Sequence, residues 1–252
     1  MSRPVRRPAR AWWRRLLRFL RCLLLLWIAF SLLLVIVLRW WPAPTSAFML
    51  ARQWQAHKNG EDGFVLRQDW RALSQISAQL PLAVVAAEDQ RFPDHHGFDL
   101  TEIGKAIKQT GRRPRGASTL TQQLAKNLFL WSGRSYLRKG LEAWFTVLIE
   151  ATWPKRRIIE VYLNVVEFGD GIYGAEAAAQ HFFRHSAARL NAAEAARLAA
   201  VLPNPKRYHA SRPGPYLVRR QAFILRQMRQ LGGSAWLAEA IGSRPELPPA
   251  KP

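Results

Sequence analysis

An uninterrupted apolar run, Cys22 to Leu38 (CLLLLWIAFSLLLVIVL), constrains this chain more than any other feature. Seventeen helical residues span about 26 Å, slightly less than the roughly 30 Å of a bilayer's hydrocarbon core. Leu16, Leu17, Phe19 and Leu20 extend the apolar surface, while Arg18 and Arg21 can snorkel to the interface. Arg39, Trp40, Trp41 and Pro42 close the run where interfacial anchors belong. Residues 22–41 are therefore expected to be a membrane helix with its interfacial edge. The eight arginines of the basic segment 1–21 outnumber the basic residues just downstream, which places the N-terminus in the cytoplasm and everything after Trp41 across the membrane. Thr45-Ser46-Ala47 would also suit a signal-peptide cleavage site, but the length of the run and its Arg-Trp-Trp closure favour an uncleaved anchor.

Charge narrows the partners. The 252 residues carry 38 Lys and Arg against 17 Asp and Glu, a formal net charge of +21, and the first acid is Glu61. Beyond residue 39 the balance is still 29 basic against 17 acidic residues, so the exported part is basic in its own right. Such a balance predicts an anionic partner. Nucleic acid is not expected outside the cytoplasm, and neither zinc-finger spacing nor an RNA-binding strand pattern occurs. Phospholipid headgroups or a lipid-linked phosphate fit better. The single cysteine, Cys22, lies in the membrane run, which removes disulfides, thiolate metal sites and cysteine nucleophiles from the exported domain.

Helical spacing dominates the remainder. After a linker of undetermined form, helices are expected over Trp70 to Phe92, Thr101 to Thr110, Ser118 to Leu130, Ser135 to Trp153, Lys155 to Val166, Tyr173 to Phe183, Asn191 to Val201 and Tyr216 to Leu231. Strand-like alternation is nearly absent, so the fold class is all-α, mainly helical. Residues 42–240 form the exported domain, and 241–252, which include GSRPELPPAKP, read as a disordered tail.

Three stretches carry chemistry. In Ala83 to Asp99 (AVVAAEDQRFPDHHGFD), Glu88 continues the stripe of Leu80 and Val84, which sets its carboxylate at the edge of apolar packing. A carboxyl group there can have its pKa raised enough to serve as an acid or base near neutrality. Phe92 continues the stripe and Pro93 ends it. In Arg115 to Asn127 (RGASTLTQQLAKN), Ser118 is suited to cap a helix whose polar side holds Gln122, Gln123, Lys126 and Asn127, and whose N-terminus is a candidate anion site. In Arg134 to Glu150, Arg138 and Glu142 stand at i,i+4 with Lys139 beside them. Two carboxylates, Glu88 and Glu142, in a basic exported domain suit chemistry at a sugar anomeric carbon. In Lys155 to Ala179, Ile158, Ile159, Tyr162 and Leu163 read as core, Asn164 and Glu167 as braces for the loop FGDGIYG, and Glu160 and Glu176 as structural acids.

The ordered segments EDQRFPDHHGFD, GASTLTQQLAKN, RKGLE, KRRIIEVYLNVVEFGDGIYGAEAAA and LNAAEAARLAAVLPNPKRY resemble the five motifs of the family 51 peptidoglycan glycosyltransferases, in particular the monofunctional, membrane-anchored type. Neither the S-x-x-K nor the K-T-G motif of a penicillin-binding transpeptidase occurs. Ala117 departs from the second glycine common in the family, which bears on loop geometry alone. The resemblance implies a lysozyme-like helical domain over 42–240 that polymerises lipid II at the inner membrane, single-pass, with its catalytic domain periplasmic. It implies Glu88 as the base that takes the proton of the acceptor 4-hydroxyl, Glu142 as a second essential acid, and Ser118, Gln122, Gln123, Lys126, Arg134, Arg138 and Lys139 as substrate-binding residues. It further implies lipid II and the lipid-linked glycan as partners, with cell-division or wall-synthesis proteins as candidates. No tightly bound cofactor or protein metal site is expected, although a divalent cation such as Mg can accompany the pyrophosphate. Two other readings stay open: a lytic transglycosylase or muramidase that cuts the same glycan, and a non-enzymatic cell-wall-binding anchor. The basic cluster favours synthesis, since a degrading enzyme has no pyrophosphate to hold.

Overall fold

The computed structural model describes residues 10–102, 104 and 118–242. Most of the helix expected at Thr101 to Thr110, the Arg115-Gly116-Ala117 segment, the first nine residues and the tail from 243 lie outside the described residues. The chain forms two compact units, Met1–Trp41 and Pro42–Pro252.

In the first unit, α1 runs unbroken over Arg10–Trp40, so the helix begins within the basic segment. At 1.5 Å per residue it is about 46 Å long. Its Trp12–Trp40 part is long and apolar enough to cross a membrane. Ser31, the polar residue inside the apolar run, returns its hydroxyl to the Ile28 carbonyl at 2.9 Å. That bond keeps the hydroxyl satisfied among apolar neighbours.

In the second unit, the expected linker proves to contain a helix, α2 (Ala47–Lys58), capped by Ser46, whose Oγ accepts from Met49 N at 3.2 Å. Its inward positions are Met49, Arg52 and Ala56, and the buried arginine breaks the apolar stripe by which the helix would have been read. Arg52 is held by Asp170 and Glu61, each at 2.7 Å, and lies over the Phe64 ring at 4.0 Å. Charges packed in this way are compatible with burial because each has a partner.

A small sheet follows, with β1 at Arg67–Gln68, β2 at Glu167–Gly169 and β3 at Ile172–Tyr173 in the order β1-β3-β2. β1 pairs parallel to β3, and β2 antiparallel. Strands of two and three residues are too short for alternation to register. The FGDGIYG loop is thus a hairpin, braced as expected by Glu167, which accepts from Gly171 N at 3.2 Å. Gly171 has φ 72°, and a Cβ there would lie 2.7 Å from the Phe64 ring.

The central helix, α3, spans Gln79–Glu88 and buries every residue from Leu80 to Ala86. Pro81 sits in its first turn, where a missing N–H does no harm. The expected helix from Trp70 to Phe92 is therefore only partly present: a short turn at Leu73–Gln75 precedes α3, which stops at Glu88. Asp89 leaves helical geometry at φ −160°, ψ 76°, because its carboxylate is held by groups outside the helix. Phe92 is fully buried, yet it lies beyond the helix in a turn and not on the α3 stripe.

Further α-helices among the described residues are α4 (Leu120–Phe129), α5 (Tyr136–Thr152), α6 (Lys155–Val165), α7 (Ala175–Phe183), α8 (Ala192–Val201), α9 (Pro215–Gln230) and α10 (Gly233–Ala240), the last not expected. The mainly helical class is what the structure shows. α3 packs on α8 and α9, and in α8 Ala195, Ala196, Ala199 and Ala200 are all fully buried. Small side chains let helix axes approach closely. On the other side α4 packs on α5 and α6, with Phe129 stacked on Phe145 at 4.4 Å.

Candidate active site

Glu88 is the last residue of α3, and helices from three other parts of the chain meet at its carboxylate. From α4, Gln123 Nε2 donates to Glu88 Oε2 at 3.0 Å. From α6, the Tyr162 hydroxyl donates to Gln123 Oε1, also at 3.0 Å. From α9, Arg220 Nη2 stands 3.9 Å from Glu88 Oε1 while donating to the Ala87 carbonyl at 2.9 Å. Burial pushes the Glu88 carboxyl above its ordinary value, and the nearby Asp89 charge adds to that; the Gln123 hydrogen bond, Arg220 and Lys126 pull the other way. The site thus keeps a carboxyl group with a raised pKa, one oxygen of which has no short hydrogen bond among the described residues.

Glu142 lies on α5, buried to 3% exposure. Arg138 Nη1 donates to its Oε2 at 2.6 Å and Lys139 Nζ meets its Oε1. Both oxygens therefore face cations, an arrangement suited to holding charge in place. Lys126 feels both acids: burial lowers its pKa, Glu142 raises it, Arg138 and Lys139 lower it further, and Glu88 raises it. Its ammonium also sits 5.6 Å from the Phe48 ring centre of α2.

Of the expected site residues, the structure brings together Glu88, Gln123 and Lys126, and Glu142 with Arg138 and Lys139. Arg134 is exposed on the loop joining α4 to α5, without an ion pair among the described residues. Ser118 is half-buried, and the residue that caps α4 is Thr119. Gln122 is buried within that cap: its Oε1 accepts from Thr119 N at 3.0 Å while Thr119 Oγ1 accepts from Gln122 N at 3.3 Å. This reciprocal pair commits the Gln122 Oε1 to the helix start. The expected anion site at the same N-terminus is filled by the protein's own Asp89, whose Oδ2 accepts from Leu120 N at 2.9 Å.

Sequence reasoning passed over several supporting residues. Tyr162 reads as plain core, and it is fully buried, but its hydroxyl reaches the site. Arg220 sits far along the chain in a helix whose many arginines look alike. His95 Nδ1 accepts from Gly97 N at 3.2 Å, which puts the ring proton on Nε2, where it bonds Asp89 at 2.9 Å. Lys155 ties the same loop down, donating to the His95 carbonyl at 2.5 Å and pairing with Glu150 at 2.9 Å. Glu160 and Glu176 hold structure: Glu160 accepts from Leu73 N at 3.0 Å and Glu176 from Ala187 N at 2.8 Å.

Residues 59–229, which include both carboxylates, match the Transglycosylase family. The chain is 56% identical over 238 residues to the biosynthetic peptidoglycan transglycosylase of Xanthomonas campestris pv. campestris (strain B100), covering 94% of this chain and 96% of that one. The protein of the same description from Chromohalobacter salexigens is 56% identical over 230 residues, 90% of this chain and 98% of that one. That from Stutzerimonas stutzeri is 54% identical over 239 residues, 94% and 98% of the two chains. Motif order, helical fold and identity along nearly the whole length agree, and the chain belongs to the transglycosylase family of biosynthetic peptidoglycan enzymes.

Proposed function

We propose that this transglycosylase polymerises lipid II by inverting transfer, with Glu88 as general base and the Glu142 cluster holding the departing pyrophosphate. One observation carries the reading: the half-buried Glu88 and the buried Glu142 have opposite surroundings. Glu88 faces a neutral amide and a distant guanidinium, whereas Glu142 is clamped by Arg138 and Lys139. Paired acids in contrasting environments divide proton transfer from charge stabilisation. In this step the acceptor GlcNAc 4-hydroxyl gives its proton to Glu88 as its oxygen bonds to C1 of the donor. The bond from C1 to the phosphate oxygen breaks, and its electron pair leaves with undecaprenyl pyrophosphate. Negative charge then grows where Lys126, Arg138 and Lys139 are gathered, so these cations favour the transition state over the intact donor.

Among the described residues no group of three or more His, Cys, Asp or Glu side chains is placed to hold a metal ion. A divalent cation such as Mg would come with the pyrophosphate, whose oxygens suit it. The α1 helix supports a single-pass anchor, and the arginine bias supports an N-terminus in the cytoplasm with the catalytic domain in the periplasm. Purified full-length protein given labelled lipid II should yield glycan polymer and free undecaprenyl pyrophosphate. Shortening of preformed glycan strands, with no polymer from lipid II, would contradict the proposal and favour a cutting enzyme.

A further inference from the structure

The Glu88 carboxylate is reached through a chain of two hydrogen bonds that starts deep in the core. The Tyr162 hydroxyl is fully buried on α6, and among the described residues its bond to Gln123 Oε1 is the hydrogen bond it makes. The Gln123 amide then presents its nitrogen to Glu88 Oε2. Since a carboxylate only accepts, the amide must point its N–H toward Glu88, and its own oxygen is left facing the core, where a donor is required. Tyr162 supplies that donor. Without it, Gln123 Oε1 would be a buried acceptor with nothing to accept from, and the amide would rotate about its last torsion to find water or a cation. The phenol is suited to the task, because burial, and after it the charges of Glu88 and Asp89, keep it protonated and therefore donating.

The consequence falls on the other oxygen. Glu88 Oε1 has Arg220 at 3.9 Å, beyond hydrogen-bond reach, and Arg220 Nη2 is already engaged with the Ala87 carbonyl. With Oε2 fixed by Gln123, Oε1 is the oxygen with lone pairs to spare. We propose that Tyr162 is a positioning residue for the base: acting through the Gln123 amide, its hydroxyl determines which oxygen of Glu88 is free to take the acceptor proton. This rests on the reading of Glu88 as the base.

The charged and titratable groups acting on Glu88 are Arg220 from α9, Lys126 from α4 and its chain neighbour Asp89. None of them is altered by Tyr162→Phe, which removes one hydroxyl and keeps the ring. Losing the amide bond removes a stabiliser of the carboxylate form, so the Glu88 pKa rises further. A base must be deprotonated to act, and the acid limb of the turnover profile therefore moves to higher pH.

The test is lipid II polymerisation by full-length Tyr162→Phe, Gln123→Met, the double variant and Glu88→Gln, with kcat, KM and pH profile measured for each. Tyr162→Phe is expected to lose roughly 10- to 100-fold in kcat at neutral pH with little change in KM, the size of effect that misplacement of a reacting group produces. Its acid limb should shift upward, and the double variant should be no worse than Gln123→Met alone, because both act through one bond. A core tyrosine of purely structural importance would lower the melting temperature but leave the acid limb in place, and its loss would add to that of Gln123→Met. Either of those results overturns the inference. Should Tyr162→Phe melt too low to assay, an unshifted acid limb in Gln123→Met overturns it equally. Turnover retained by Glu88→Gln would overturn the base assignment itself. Turnover lost in Glu88→Gln but untouched in Tyr162→Phe sinks the positioning role alone.

Discussion

Asp89 Oδ2 accepts the backbone N–H of Leu120 at 2.9 Å, so the residue next to the proposed base anchors the helix that carries Gln123 and Lys126. The same carboxylate accepts from His95 Nε2 at 2.9 Å, and the His95 tautomer is fixed from behind by Gly97 N. Asparagine cannot replace this acid cleanly. With its oxygen in the Oδ2 place it could accept from Leu120 N at 2.9 Å and His95 Nε2 at 3.1 Å, but its NH₂ would then oppose the His95 N–H, and His95 cannot change tautomer without opposing Gly97. Asp89→Asn is expected to cost about 1–3 kcal/mol, a fall in Tm of roughly 2–10 °C for a domain of this size, together with a loss of turnover. Thermal melting beside lipid II polymerisation checks it. A variant with wild-type Tm and activity would remove Asp89 from this role.

Glu142 is the fixed point of the basic cluster. Glu142→Gln keeps the shape and the helix but takes away the charge that orients Arg138 and Lys139. Arg138 already has a buried Nε without a partner among the described residues, so little remains to hold it. Turnover should fall on the order of 10²-fold or more, the scale of losing a transition-state charge contact, while circular dichroism stays unchanged. Near-normal polymerisation would take Glu142 out of the site.

The cations should differ among themselves, and geometry ranks them. Lys126 is half-buried and feels both acids, Lys139 touches Glu142, and Arg134 stands exposed on its loop. Lys126→Ala and Lys139→Ala are expected to reduce kcat by roughly 10²- to 10³-fold, and Arg134→Ala by less. Arg229→Ala, at the distant end of α9, serves as the charge control. If the lysine variants lose no more turnover than this control, the pyrophosphate assignment is wrong. Because burial lowers the Lys126 pKa, its charge is lost at lower pH than that of a solvent lysine. The alkaline limb of the turnover profile should therefore begin below the ordinary lysine range, and Lys126→Arg should move it upward.

Much of this could be read from the residues themselves, for identifiable physical reasons. The α1 run and the Arg138/Glu142 spacing are local patterns, and local patterns survive into the fold; α3, by contrast, is buried all round and not along one stripe. What escaped depends on distant parts of the chain. The α2 helix was hidden by Arg52, whose burial makes sense only once Asp170 is beside it. The end of α3 was misplaced because Asp89 is drawn out of the helix by Leu120 and His95, groups with no local signature. Gln122 and Gln123 look equivalent as neighbours, yet one closes a capping box and the other bonds the base. Tyr162 looked like core because it is core; its hydroxyl gained a second task when α6 packed on α4.

Glu88→Gln, with activity and stability measured on the same sample, distinguishes a desolvated catalytic base from a structural acid. The folded-state pKa of Glu88 lies above its unfolded value, so its contribution to stability is fully present below the unfolded pKa and is lost as pH rises through the folded one. Once ionised, the half-buried carboxylate is a burden on the fold, and glutamine relieves it while still offering an oxygen to Gln123. Glu88→Gln is expected to abolish lipid II polymerisation, to melt higher than wild type once the pH exceeds the folded-state pKa of Glu88, and to lose that advantage in acid below the ordinary carboxyl range. A Glu88→Gln protein that still makes polymer at a near-normal rate would contradict the assignment of Glu88 as base.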